Sequence, residues 1–308
     1  MKILFDSHTH INNDGYSEEE RARLIAAIED SEVAYVMDVG FDLPSSERAV
    51  SDAALLPWCY AAVGVHPHDT KTMTEEIYEK IRRLAGQPKV QAIGEIGLDF
   101  YYNHSDAEDQ RYWFRRQIRL ANELHMPIVI HAREADQETM DILKAEGAFS
   151  EERCGWFPLR PGTGIGRKAG AQTTQKASRA GEGRRAEACD CTENCCMEKD
   201  ARVLLHCFSG SRELAEQYVK LGATISIAGP VTYKNNRKTS EVVSAIPIEY
   251  LLVETDAPYL TPEPHRGKKN QSPYVAYTAR RVALLKGISY EEAARRTLEN
   301  AKRFYGID

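Results

Sequence analysis

Short apolar runs alternate along this chain with stretches of helical period. The runs are Ile3–Phe5, Ala34–Val39, Tyr60–Val65, Val90–Ile96, Pro127–Ile130, Arg202–Leu205, Ala223–Ile227 and Tyr250–Val253. Several are nearly continuous Val, Ile, Leu and Ala, the pattern of strands in a parallel sheet covered by helices on its faces. Between them, Ser17–Asp30, Thr74–Ala85, Asp106–Leu124, Gln137–Glu146 and Arg212–Leu221 read as helices, followed by Tyr274–Lys286 and Tyr290–Phe304. Ser17 and Glu20 stand at capping-box spacing and start the first helix. Eight strands alternating with helices predict an α/β fold, a (β/α)8 TIM barrel. A doubly wound open sheet is the alternative. It normally brings a Gly-rich phosphate loop after an early strand, and the chain has none.

One segment breaks the pattern. From about residue 147 to 200 the apolar periodicity stops and Gly, Arg, Ala, Thr and Ser take over, as in Gly162-Thr163-Gly164-Ile165-Gly166. The chain therefore reads as one barrel domain, 1–308, with a long low-complexity insertion at 147–200 between helix five and strand six. Cys189, Cys191, Cys195 and Cys196 lie in it, and four thiolates suffice for tetrahedral zinc. Their spacing is not the paired C-x2-C of common zinc modules, and the composition favours a disordered insertion.

Composition narrows the partners. A net charge of -6 argues against a broad basic surface for non-specific duplex binding. It leaves a nucleic-acid substrate open, because bound cations can meet phosphate locally. No segment reaches the roughly 20 apolar residues of a membrane span. The first apolar run is interrupted by Asp6, unlike a signal peptide, so the expected location is a reducing cytoplasm. Oligomeric state is not legible.

Chemistry collects at the strand ends. His8 and His10 are two apart, so they project to one face of a strand. Alone, such a pair is more often hydrogen-bonded structure than half a metal site. Further strand ends supply Gly64-Val65-His66-Pro67-His68, Gly94-Glu95-Ile96-Gly97-Leu98-Asp99, His131-Ala132-Arg133, His206-Cys207-Phe208-Ser209-Gly210 and Glu254-Thr255-Asp256. In a parallel barrel these ends converge on the face where active sites sit. Mixed His and carboxylate donors suit Zn, Mn, Fe or Co, whereas Mg prefers more oxygen.

Together with Asp6-Ser7-His8-Thr9-His10 and Glu254-Thr255-Asp256-Ala257-Pro258-Tyr259-Leu260, these motifs make the chain resemble the TatD-type metal-dependent deoxyribonucleases of the amidohydrolase-like barrels. The resemblance implies a two-metal centre, with Zn, Mn or Mg as the ions, and hydrolysis of nucleic-acid phosphodiesters at DNA ends or single strands. It assigns metal-ligand roles to His8, His10, Glu95, His131, His206 and Asp256. The family usually continues Arg-Gly-Lys-Arg-Asn-Glu-Pro. This chain has Arg266-Gly267-Lys268-Lys269-Asn270-Gln271-Ser272, a departure that bears on substrate contacts.

On that basis His8 and His10 take one ion, His131 and His206 mainly the other, and Glu95 bridges. Asp256 binds metal and accepts the proton of the attacking water, so Asp256 and Glu95 are the catalytic candidates. Glu254 is balanced between holding a ligand histidine and a salt bridge at the rim. His66, Arg133 and Arg266 are candidates for the phosphate, while His68, His104, His125 and His265 carry no assignment. Two other functions compete: a metal-dependent esterase or deacylase acting on aminoacyl-tRNA, and a non-catalytic scaffold whose insertion is the interacting part.

Overall fold

The computed structural model describes residues 1–158 and 199–308. Eight strands form one sheet in sequential order: β1 (Leu4–Thr9), β2 (Val33–Val39), β3 (Cys59–Val63), β4 (Val90–Asp99), β5 (Ile128–Arg133), β6 (Val203–Leu205), β7 (Thr224–Ile227) and β8 (Leu251–Val253). Every neighbouring pair is parallel. The ring closes between its first and last members. Asp256 N–H donates to the His8 carbonyl at 2.9 Å, His10 N–H donates to the Ala257 carbonyl at 2.9 Å, and Thr9 pairs with Ala257. The chain is thus a (β/α)8 barrel, as the apolar runs predict.

Each strand begins within one residue of its expected start. Three run further than their apolar cores. β1, β4 and β5 continue through polar residues because those residues still pair: Gly97 with His131 and Asp99 with Arg133, for example. Glycine is required there. Gly97 has φ 148°, and a Cβ on it would stand 1.9 Å from the His131 carbonyl oxygen. That close approach sets the two strand ends side by side.

The helices are α1 (Glu18–Asp30), α2 (Leu43–Leu55), α3 (Glu75–Ala85), α4 (Ala107–Glu123), α5 (Asp136–Ala145), α6 (Glu151–Gly155), α7 (Arg212–Lys220), α8 (Arg237–Ala245), α9 (Val275–Lys286) and α10 (Tyr290–Tyr305). The expected capping box opens α1, with Glu20 N–H on Ser17 Oγ at 3.2 Å and Ser17 N–H on Glu20 Oε2 at 2.9 Å. One apolar layer lies between strands and helices. A second, inner cluster joins Phe5, Met37, Val39, Ala62, Val129, Leu204 and Leu252 to Phe304, Tyr305 and Ile307 at the end of the chain. The Tyr305 hydroxyl donates to the Ser7 carbonyl at 2.9 Å and so ties α10 to β1. No helix among the described residues is long and apolar enough to cross a membrane.

The first part of the stretch expected to be irregular from residue 147 is regular in the structure. Residues 147–158 are folded and contain α6, and Arg153 there is fully buried. Its guanidinium donates to the Ala201 carbonyl at 2.9 Å, to Asn122 Oδ1 at 2.7 Å and to the Met126 carbonyl at 2.8 Å. A buried charge needs such partners, and no pattern of apolar positions announces it. The Gly-rich run and the cysteines 189, 191, 195 and 196 lie outside the described residues.

Candidate metal centre

His8 and His10 leave β1 with their Nε2 atoms 3.3 Å apart. His10 Nδ1–H donates to the Val39 carbonyl at 2.7 Å, which fixes the proton on Nδ1 and leaves the Nε2 lone pair facing the site. His8 Nδ1 is buried without a hydrogen-bond partner. Asp256, just past β8, has φ 56°, a left-handed backbone that costs a non-glycine residue about 1–3 kcal/mol. The bond from its own N–H to the His8 carbonyl holds it there. Its Oδ1 stands 3.4 Å from His10 Nε2 and 3.9 Å from His8 Nε2.

Glu95 of β4 lies at the middle of the cluster and is buried. Oε2 faces His8 Nε2 at 3.4 Å and His10 Nε2 at 4.0 Å. Oε1 faces His206 Nε2 at 2.7 Å, His131 Nδ1 at 3.1 Å and His66 Nε2 at 3.6 Å. His206 Nε2 and His131 Nδ1 are 3.5 Å apart. The six side chains read as ligands therefore converge on one spot, and His66 joins them.

Donors on one divalent ion, bonded at about 2.0–2.2 Å, stand roughly 3–3.5 Å from one another. On one side the His8–His10, His8–Glu95 and His10–Asp256 separations match that spacing, with His10–Glu95 and His8–Asp256 at 4.0 and 3.9 Å; on the other, Glu95–His131 and His131–His206 match it, with Glu95–His206 closer at 2.7 Å. The residues fit divalent cations.

Behind the donors stand carboxylates that orient them. Asp99 Oδ2 takes His131 Nε2 at 3.0 Å and His68 Nε2 at 2.9 Å. Glu254 is fully buried; its Oε1 accepts Cys207 N–H at 2.7 Å and lies 3.3 Å from His206 Nδ1. A salt bridge at the rim is thereby excluded for Glu254, and it stands behind His206. Such partners fix ring orientation and raise ligand basicity. Asp99 and His68 were missed by sequence reasoning. Asp99 lies inside a quoted motif, but nothing in its spacing says which imidazole it will reach.

The electrostatics follow from crowding. Burial would raise the Glu95 carboxyl, but the His206 charge and hydrogen bonds from His131 and His206 hold it well below the usual range. Burial likewise opposes ionisation of Asp256, and the His10 hydrogen bond reverses that and lowers it. Burial would lower His206, yet Glu95 and Glu254 push it well above the ordinary imidazole value. His131 is raised against burial by Asp99 and Glu95, and His10 by Asp256. Burial keeps His66 well below its ordinary value, hence neutral. His66 Nδ1 accepts the His68 N–H at 3.1 Å, so its single proton is on Nε2. That tautomer donates a hydrogen bond and has no lone pair for a cation at Nε2.

Of the other proposed phosphate contacts, Arg133 ends β5 and is exposed at the rim, its guanidinium 4.1 Å from the Tyr101 ring centroid and 4.6 Å from that of Tyr102. Arg266 is not drawn to the centre. It lies over the Tyr233 ring at 4.3 Å and pairs with Glu263 at 3.9 Å. The loop carrying it is anchored instead by Asn270, buried, whose Nδ2 donates to the Thr255 carbonyl at 2.8 Å and the Tyr259 carbonyl at 2.6 Å. His104 stacks on Tyr102, His125 on Trp156 and His265 on Tyr274.

Comparison with known proteins agrees with this geometry. Residues 5–157 and 178–306 match the family described as TatD related DNase. The uncharacterized metal-dependent hydrolase YabD of Bacillus subtilis is 37% identical over 306 residues, covering 99% of this chain and 100% of the relative. The 3'-5' ssDNA/RNA exonuclease TatD of Erwinia tasmaniensis is 29% identical over 310 residues, covering 99% and 100%. Among solved structures, the TatD homologue YJJV of Escherichia coli K12 superposes with a TM-score of 0.77 at 22% identity, covering 100% of this chain and 99% of that one. The chain belongs to the TatD related DNase family and is a metal-dependent hydrolase.

Proposed function

We propose that this hydrolase cleaves phosphodiester bonds of single-stranded DNA or RNA, working from a strand end with two divalent ions. One observation carries the two-ion reading: Glu95 turns Oε2 to His8 and His10 and Oε1 to His131 and His206. A carboxylate so placed can serve two cations at once. His8, His10 and Asp256 would hold one, His131 and His206 the other, with Glu95 between. Zn or Mn suits this donor set. When bound, the ions supply Lewis acidity at the phosphate oxygens and acidify water. The names of the Erwinia relatives support nucleic acid as substrate and the 3' end as the point of attack.

The chain's own residues supply the rest. Asp256, its side chain 14% exposed against 5% for Glu95, is the carboxylate on the open side of the cluster. It is ionised at neutral pH and takes a proton from the attacking water. The water oxygen bonds phosphorus while the P–O bond to the 3' oxygen of the shortened strand breaks, and that oxygen leaves with a proton taken from solvent. The His66 Nε2–H offers a hydrogen bond to a phosphate oxygen. Arg133 at the rim grips the phosphate with the in-plane edge of its guanidinium.

The test is a substrate panel with metal content measured on the same preparation. Chelator-stripped protein, reloaded in turn with Zn, Mn and Mg, is offered single-stranded DNA, duplex DNA, RNA and an aminoacyl ester. Metal-dependent release of mononucleotides from single strands is expected. Turnover confined to the aminoacyl ester overturns the reading.

A further inference from the structure

Beside Arg133, the link from β4 to α4 holds two exposed tyrosines, Tyr101 at 53% and Tyr102 at 49%. Their rings meet edge to face at 4.8 Å, and the Arg133 guanidinium lies over both. His104 stacks parallel to Tyr102 at 5.5 Å, and His68 braces Tyr102 from its edge at 5.5 Å. The backbone beneath is fixed as firmly. The N–H groups of Tyr101 and Tyr102 donate to Asp99 Oδ1 at 3.0 and 2.9 Å. The other oxygen of the same carboxylate takes His131 and His68. One buried carboxylate therefore sets both a candidate ligand and the tyrosine pair, and their offset is built in.

We propose that Tyr101, braced edge to face by Tyr102, is a stacking shelf for an unpaired nucleobase next to the phosphodiester held over the centre. The inference rests on the phosphodiesterase reading above and adds how the strand is recognised. Every base presents a π-face, so stacking on tyrosine tolerates any sequence. In a duplex those faces are covered by neighbouring bases, so the shelf selects single strands and frayed ends. Arg133 fits the same role. With its flat face on the tyrosines, its N–H edge remains for the phosphate of the stacked nucleotide. The shelf is rigid before the strand arrives, which lowers the entropy lost on binding.

The test compares two single strands, alike except that one carries a base-free sugar at the terminal nucleotide. Metal-loaded wild type should show a KM about 5- to 150-fold higher for the base-free strand, the range of base–aromatic stacking. A Tyr101→Leu/Tyr102→Leu variant should bring that ratio close to one, and Tyr101→Phe/Tyr102→Phe should keep it. Fluorescence anisotropy on metal-stripped protein should show the same loss of discrimination in Kd. Circular dichroism checks the fold; should the double leucine variant unfold, Tyr101→Leu alone carries the comparison. A ratio that persists in the leucine variant, or a wild-type ratio near one in an enzyme that does degrade single strands, overturns the shelf alone. Failure of the wild type to cleave any nucleic acid overturns the phosphodiesterase reading and the shelf with it.

Discussion

Glu95 and Arg133 stand on adjacent strands, β4 and β5, yet their surroundings are opposites. Glu95 is 4% exposed, and five imidazoles lie within 4.0 Å of its carboxylate. Arg133 reaches solvent, rests on two half-exposed tyrosine rings, and has no carboxylate partner among the described residues. The floor of the site is crowded with charges that constrain one another, and each donor has a fixed orientation. The rim is open, aromatic and cationic. Chemistry needs the first kind of environment, because a displaced donor cannot be replaced from solvent. Recognition of a flexible strand needs the second, because faces and edges must be free before the substrate comes. The contrast predicts that floor substitutions act on turnover and metal, and rim substitutions on KM.

The largest effect is expected at Asp256. Asp256→Asn keeps the size of the side chain and one oxygen for a cation but cannot take the water's proton. Turnover should fall about 10²–10⁴-fold with KM little changed. Metal analysis of the same sample separates loss of the base from loss of the ion. Near-normal kcat with full metal content would place the base elsewhere.

Metal affinity should depend steeply on pH. In the metal-free protein His10, His131 and His206 have raised values because carboxylates face them. These rings therefore keep their protons across a pH range above that of a free imidazole, and those protons must leave when a cation binds. Affinity should drop as pH falls through that range, about tenfold per pH unit for each proton displaced. The sign for stability of the metal-free protein is the reverse. A histidine raised in the folded state contributes fully below its unfolded value near 6.5 and loses that contribution as pH rises through the folded value. The gap in Tm between loaded and stripped protein should widen from pH 6 to pH 8. Calorimetry in two buffers of different ionisation enthalpy should show proton release.

Asp99 sharpens the contrast, since it serves floor and rim together. Asp99→Ala removes the acceptor of His131, His68 and two loop N–H groups at once. Loss of a carboxylate behind a ligand histidine typically costs about 10–100-fold in metal affinity or activity. Here KM for single strands should also rise, which a change confined to the floor does not produce. Arg133→Ala, by contrast, should raise KM about tenfold, the scale of a rim contact, and leave bound metal unchanged. If it strips metal instead, the division between floor and rim is wrong.

How legible was this in the sequence? The barrel was, because each strand is a short apolar run and strand starts depend on local pattern. The converging donors were, because strand ends meet on one face of a barrel whatever the intervening helices do. What stayed hidden depends on tertiary placement. Asp99 gains its role from rings on other strands, and the same placement decides Glu254, for which holding a ligand histidine was one of two readings. Tyr101 and Tyr102 sit in a loop, where no period marks a side chain as poised. Arg266 was drawn in by its Gly-Lys context, yet the loop turns it onto Tyr233. His66 stands at a strand end like the donors, and only the His68 N–H on its Nδ1 separates a hydrogen-bond donor from a ligand.

The smallest effect is expected from the segment between residues 160 and 198, and its edges decide the outcome. The connection enters β6 at Val203, the end of that strand remote from His206, so it starts on the barrel face opposite the centre. Because its point of return lies on that face, replacing residues 161–197 with a short Gly/Ser linker should leave kcat, KM and metal content within about twofold. A short linker can reach, because Lys199 Nζ lies 3.9 Å from Glu151 Oε1 and Arg153 bonds the Ala201 carbonyl. A wider cut is different. Removing 149–199 takes α6 and Arg153 with it and leaves the Ala201 and Met126 carbonyls and the Asn122 side chain without that donor. Charged hydrogen bonds of this kind contribute about 1.5–3 kcal/mol each, so that variant should melt well below the narrower deletion. Arg153→Met alone should reproduce much of the drop in Tm with activity intact at low temperature. A loss of turnover in the narrow deletion, with Tm preserved, would place part of the segment at the rim and redraw the comparison.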